Sequence, residues 1–210
     1  MTADERPSGR YCLITVGATV GFEQLTKAAL EPSFWQFLRD KGFSNLRIQC
    51  GPDIPWATDK LSQLEHEIPP GFFVDVFDVR KNLMLEEMVL CKPAEGQRGQ
   101  GLIISHAGTG TILDAWKVGV PLIVVPNTSL LDDHQTEMAK HLAREGYATM
   151  AKPSRRDLQE AIDKAELLVE ENRTRWPPHQ VSNQQGGAAR LWDIKPIEVK
   201  AEEVSQMTHD

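Results

Sequence analysis

Residues 102–111 read Leu-Ile-Ile-Ser-His-Ala-Gly-Thr-Gly-Thr, an apolar run that ends in a Gly/Thr turn. Helical spacing follows it (Ile112, Leu113, Ala115, Trp116, Val118). A turn of this kind leaves backbone N–H groups unpaired at the positive end of a helix macrodipole. The chemistry on offer is anion binding, most often of phosphate; the competing reading is an ordinary tight turn that uses glycine for positive φ. His106 stands at the end of the apolar run, where it can donate to a phosphate or act as an acid or base. A neighbouring backbone carbonyl is an equally sufficient reason for it. Asp114, one turn into the helix, reads on spacing alone as a solvated carboxylate.

A second apolar run, Pro-Leu-Ile-Val-Val-Pro at 121–126, opens on to Asp132, Asp133, His134 and Gln135. A helix N-cap explains one of those acids, but not four polar residues directly after a buried strand. Other chemistries lack their residues. The turn at 108–111 is neither a G-x-G-x-x-G dinucleotide fingerprint nor a Walker A loop, since no Gly-Lys-Ser/Thr is present. No G-x-S-x-G elbow exists for nucleophilic hydrolysis. His134 beside Asp133 is too sparse for zinc, and no third ligand has suitable spacing, so no metal is expected.

The elements that must position these residues are strands alternating with helices. Strands are expected at 11–16, 45–49, 72–77, 102–105, 121–126 and 147–150, the first of them rich in Val, Ile and Leu as a strand buried on both faces should be. Helices are expected at 22–30, 34–40 (capped by Ser33), 82–90, 132–144 and 154–169 (capped by Ser154, with Asp157 three residues on). The reading is weak between 53 and 70, and 92–101 is a Gly/polar loop. The alternation specifies an α/β fold with a parallel sheet covered by helices on both faces. Past Glu170 the pattern decays; residues 188–194, with Leu191 and Trp192 as anchors, either form a docking helix or stay disordered.

Bulk properties narrow the class. The chain has 210 residues and a formal charge of −7, which argues against a nucleic-acid partner. Its apolar runs are strand-sized, far short of the roughly 20 residues that span a bilayer. The start is polar and lacks a signal peptide's apolar core. Cys12, Cys50 and Cys91 are an odd count without CxxC spacing, so buried free thiols in a reducing compartment are expected.

Residues 104–111 (ISHAGTGT), 119–127 (GVPLIVVPN), 132–135 (DDHQ), 145–147 (EGY) and 16–22 (VGATVGF) resemble, in order and spacing, a known family. It is the cytosolic subunit of the dolichol-linked UDP-N-acetylglucosamine transferase, which adds the second N-acetylglucosamine in lipid-linked oligosaccharide synthesis. The resemblance spans about 11–152 and extends, more distantly, to the C-terminal half of the bacterial transferase that glycosylates the peptidoglycan lipid precursor. It implies a Rossmann-like GT-B half at 11–171, between a flexible 1–10 and a tail at 172–210. It also implies a membrane-anchored partner subunit that supplies the acceptor side and recruits the chain to the cytosolic face of the endoplasmic reticulum. By the same resemblance, Ser105, Gly108, Thr109, Gly110 and Thr111 hold the diphosphate and Asp114 the ribose. Asn127, Asp133, His134 and Gln135 face the sugar and its neighbouring phosphate, and Gly17 and Thr19 line the opposite wall. No cofactor is implied; His106 and His134 are the candidates for proton transfer. Two departures stand out: Gly101 where relatives carry an acid, next to a loop that looks inserted at 92–100, and Thr111 where serine is commoner. The rival functions are a sugar-nucleotide epimerase, for which a second lobe is missing, and a non-catalytic nucleotide-sugar-binding module.

Overall fold

The computed structural model describes residues 9–128 and 134–175. Strand β1 (Arg10–Thr15) explains the architecture by itself. Successive strand side chains point to opposite faces; Cys12 and Ile14 enter one core and Tyr11 and Leu13 the other. A strand buried on both sides needs helices on both sides.

The chain then runs through α1 (Glu23–Ala29), α2 (Pro32–Asp40), β2 (Phe43–Gln49), α3 (Ile54–Leu64), β3 (Phe73–Phe77) and α4 (Leu83–Glu86). It continues through β4 (Leu102–His106), α5 (Thr109–Val118), β5 (Leu122–Val125), α6 (His134–Arg144), β6 (Thr149–Met150) and α7 (Arg155–Arg175). The six strands of the described residues form one parallel sheet in the order β3-β2-β1-β4-β5-β6.

One core layer packs Leu25, Phe34, Trp35, Leu38, Ala57, Leu158 and Ile162 from α1, α2, α3 and α7 against the sheet. Each fully buried large side chain contributes about 1.5–3 kcal/mol. The indole N–H of Trp35 donates to the Ala29 carbonyl (2.8 Å), so this bulky group is buried with its polar atom satisfied. The opposite layer holds Ile112, Ala115 and Val118 of α5 with Ala139 and Leu142 of α6.

Several expectations are corrected. Ser33 does not cap α2: the N-cap is Glu31 and Pro32 occupies the first turn, where its missing N–H costs nothing. The stretch after 53 is a regular helix, α3, whose Pro55 sits in the first turn for the same reason. Residues 82–90 are a four-residue helix capped by Asn82 and a separate 3-10 turn, Met88–Cys91. α7 continues beyond 169 to Arg175. The loop at 92–101 is pinned by a bridge between Ala94 and Arg98. The docking helix expected at 188–194 lies outside the described residues.

Strand order reverses between β1 and β4: the chain leaves β1 toward α1 and leaves β4 toward α5, on opposite faces. The loops diverge there and open a crevice at the carboxyl ends of the strands, the place where doubly wound sheets bind ligands.

Candidate functional site

The crevice is built on His106. Thr15 pairs with Ser105 in the β1–β4 register, so the loop starting at Val16 lies beside the turn starting at His106. His106 Nδ1 is 3.4 Å from the Thr15 carbonyl oxygen, an acceptor only, so the ring carries its proton on Nδ1. Its Nε2 lies between two glycines. A Cβ at Gly17 would stand 2.9 Å from that nitrogen, and one at Gly108 only 2.4 Å. Both positions are glycine because the imidazole occupies the space a side chain would need. Burial pushes the His106 pKa down, with the Thr15 carbonyl partly opposing the shift. At neutral pH the ring is therefore uncharged and presents an Nε2 lone pair. It accepts rather than donates there.

Next to this ring, α5 starts without a cap. Gly108 is its N-cap and offers no side chain, and no carboxylate stands in the first turn. α7 differs, since Ser154 Oγ accepts the Asp157 N–H (3.2 Å). Among the described residues, no side-chain cap or first-turn carboxylate thus takes up the first amides of α5 or offsets its positive dipole end. Thr109 and Gly110 are exposed and Thr111 half-buried. Thr109 Oγ1 reaches Met138 Sδ on α6 (3.8 Å). Among the described residues, no side chain fills the region above Gly110: a Cβ there would meet nothing within 4 Å.

Asn127, buried just past β5, ties three segments together. Its N–H donates to Gln135 Oε1 at the start of α6 (3.2 Å), and its Nδ2 donates to the Gly21 carbonyl in the β1 loop (3.4 Å). The structure thus joins Gly17, His106 and Gly108 in one contact and Asn127 with Gln135 in another. Thr19 is exposed in the β1 loop, and His134 is exposed at the first position of α6. Ser105 is fully buried, its hydroxyl given to the His106 carbonyl (2.6 Å), so it supports the strand end rather than lining the crevice. Asp114 is paired with Lys117 one turn on (2.9 Å). Asp133 lies outside the described residues. Among those residues no three His, Cys, Asp or Glu side chains cluster as a metal site would require.

Sequence reasoning missed Asp53 and Gly21. Asp53 ends the 3-10 turn Gly51–Asp53 after β2, and its Oδ2 accepts the Phe22 N–H (2.8 Å). The signal in the sequence was only its place just past an expected strand and the Gly51-Pro52 breaker; that this strand neighbours β1 is visible only in the fold.

Residues 95–190 match the glycosyltransferase family 28 C-terminal domain. The chain is 35% identical over 163 residues to the UDP-N-acetylglucosamine transferase subunit ALG13 of Cryptococcus neoformans, covering 71% of this chain and 80% of that one. The chain belongs to the ALG13 family. The Saccharomyces cerevisiae ALG13 is 31% identical over 155 residues, covering 67% of this chain and 77% of the relative. The NMR solution structure of ALG13 superposes with a TM-score of 0.58 at 27% identity, over 76% of this chain and 87% of that one. A kitacinnamycin glycotransferase shares the fold, with a TM-score of 0.52 at 20% identity, over 80% of this chain and 40% of its own. The fold is thus a Rossmann-like GT-B half, and its crevice lies at the β1–β4 switch point, where doubly wound sheets in general bind ligands. No described helix is long and apolar enough to cross a membrane.

Proposed function

We propose that this crevice holds UDP-N-acetylglucosamine and that the chain, with a membrane-anchored partner subunit carrying the acceptor side, transfers the sugar to N-acetylglucosaminyl-diphosphodolichol at the cytosolic face of the endoplasmic reticulum. The uncapped, carboxylate-free start of α5 beside the crevice carries the reading. The relatives' name, a UDP-N-acetylglucosamine transferase subunit, supports both the donor and the need for a partner.

In this reading the amides of Thr109, Gly110 and Thr111 receive the pyrophosphate and Asp114 turns from Lys117 to the ribose hydroxyls. Asn127, Gln135 and His134 border the sugar, with Asp133 preceding them. An acceptor hydroxyl attacks the anomeric carbon with inversion, the bond to the phosphate oxygen breaks, and UDP leaves. The charge that builds on the leaving diphosphate meets fixed N–H donors, each worth a few kcal/mol at a transition state. His106, neutral with its lone pair at Nε2, and His134 are this chain's groups for accepting the hydroxyl proton; a carboxylate from the partner is the other source.

Gly110→Leu tests the cradle. Its Cβ meets no described atom within 4 Å, so the fold persists. Calorimetric affinity of the full chain for UDP-N-acetylglucosamine should nevertheless fall at least about tenfold as the amides are covered. Unchanged affinity would refute the cradle. Radiolabelled transfer to the lipid diphosphate acceptor should require the partner; full-rate transfer by this chain alone would refute the split site.

A further inference from the structure

Gly21 and Phe22 share one peptide group, and both of its polar atoms are gripped. The Phe22 N–H donates to Asp53 Oδ2 at 2.8 Å, and the Gly21 carbonyl accepts from Asn127 Nδ2 at 3.4 Å. The peptide is planar, so holding both edges fixes its orientation. One grip comes from the end of β2 and the other from the end of β5, across β1 and β4. The contact with Asp53 is charge-assisted and close. A Cβ at Gly21 would stand 2.4 Å from Asp53 Oδ1, which explains glycine there.

The loop's other end is held separately. Gly17 lies against His106, and Gly51 approaches so near that a Cβ on it would stand 2.7 Å from the Gly17 carbonyl oxygen. Between these anchors Ala18, Thr19 and Val20 are exposed. The loop is an arch with two fixed feet, standing beside the start of α5.

We infer that Asp53 is a positioning residue: with Asn127 it clamps the Gly21–Phe22 peptide and so sets the β1 loop as the wall facing the α5 amides. The inference rests on the nucleotide-sugar reading of the crevice. Asp53 itself need not touch the ligand. Freeing its end of the arch loosens the wall that closes on the donor sugar, and leaves the phosphate amides and the acceptor side in place.

The test uses the full chain for amide exchange and the assembled transferase for kinetics. In Asp53→Ala, hydrogen exchange at the Phe22 amide should quicken, and KM for UDP-N-acetylglucosamine should rise about tenfold with kcat within about twofold, since one charged hydrogen bond is lost. Asp53→Asn keeps an acceptor oxygen and should restore both. Gly21→Ala displaces the carboxylate without removing it; it should match Asp53→Ala, and it keeps the test decisive if that variant fails to fold. Wild-type exchange and KM in folded Asp53→Ala or in Gly21→Ala would overturn the clamp. So would an Asp53→Asn as impaired as the alanine variant. A wild-type transferase that does not use UDP-N-acetylglucosamine would overturn the donor reading itself, and the clamp with it.

Discussion

His106 shows how one side chain sets its neighbours' identities. Its ring fixes glycine at 17 and at 108, and its Nδ1–H is committed to Thr15, so the crevice receives a lone pair and no charge. The depressed pKa makes this testable. An unfolded chain takes up a proton at His106 near the ordinary value of 6.5, while the folded chain resists until lower pH. Between those two values the unfolded state binds more protons, so raising pH favours folding. The group's contribution is complete above 6.5 and is lost as pH falls toward the folded value. Urea unfolding at about pH 7.5 and about pH 5.5 should therefore show the wild type losing more stability on acidification than His106→Gln. Equal losses would mean that the ring is not held neutral. The pair of glycines and the histidine were all visible in the sequence as a turn signal. Their mutual contact was not, because it joins residues about 90 positions apart through strand register.

Element ends divide by whether a side chain or the crevice satisfies them. Ser154 was legible as a cap from its place before an amphipathic run with Asp157 three residues on; its Oγ accepts the Asp157 N–H and donates to the Asp157 carboxylate, while the Ser154 N–H goes to the Lys152 carbonyl, so the reciprocal half of a capping box is not made. Ser33 carried the same local signal and does not cap, because Pro32 already begins α2 and places Ser33 inside its first turn. The two serines are a matched test. Ser154→Ala should cost about 1 kcal/mol in chemical denaturation, whereas Ser33→Ala should stay within about 0.5 kcal/mol. Comparable losses would contradict the caps assigned here. α3 was illegible for a related reason: Pro55 reads as a breaker, yet a first-turn proline is preorganised for a helix, and Ala57, Leu61 and Leu64 keep helical spacing behind it. Missing α3 also hid Asp53, since the turn that aims its carboxylate leads straight into that helix.

At the scale of the whole molecule, the sheet couples two cores that share no helix. Strand patterning made the layered α/β class readable, because near-continuous apolar runs demand cover on both faces. Strand order was not readable from patterning, since every pairing joins segments separated by a crossover. The cysteines report on each layer: Cys12 and Cys50 lie in the core beneath α1, α2, α3 and α7, and Cys91 in the one beneath α5 and α6. Burial raises the Cys12 thiol well above its ordinary value and pushes Cys50 and Cys91 up to about 12. A buried thiol with so little thiolate is a poor nucleophile, so none should react with an aromatic disulfide reagent while the chain is folded. β1 contributes alternate residues to both layers and so couples their opening. Thiol labelling followed along a urea series should then give the same opening free energy at all three cysteines, equal to that of global unfolding. Labelling of Cys91 at lower urea than Cys12 and Cys50 would show instead that the α5–α6 layer, which carries the proposed phosphate cradle, opens on its own.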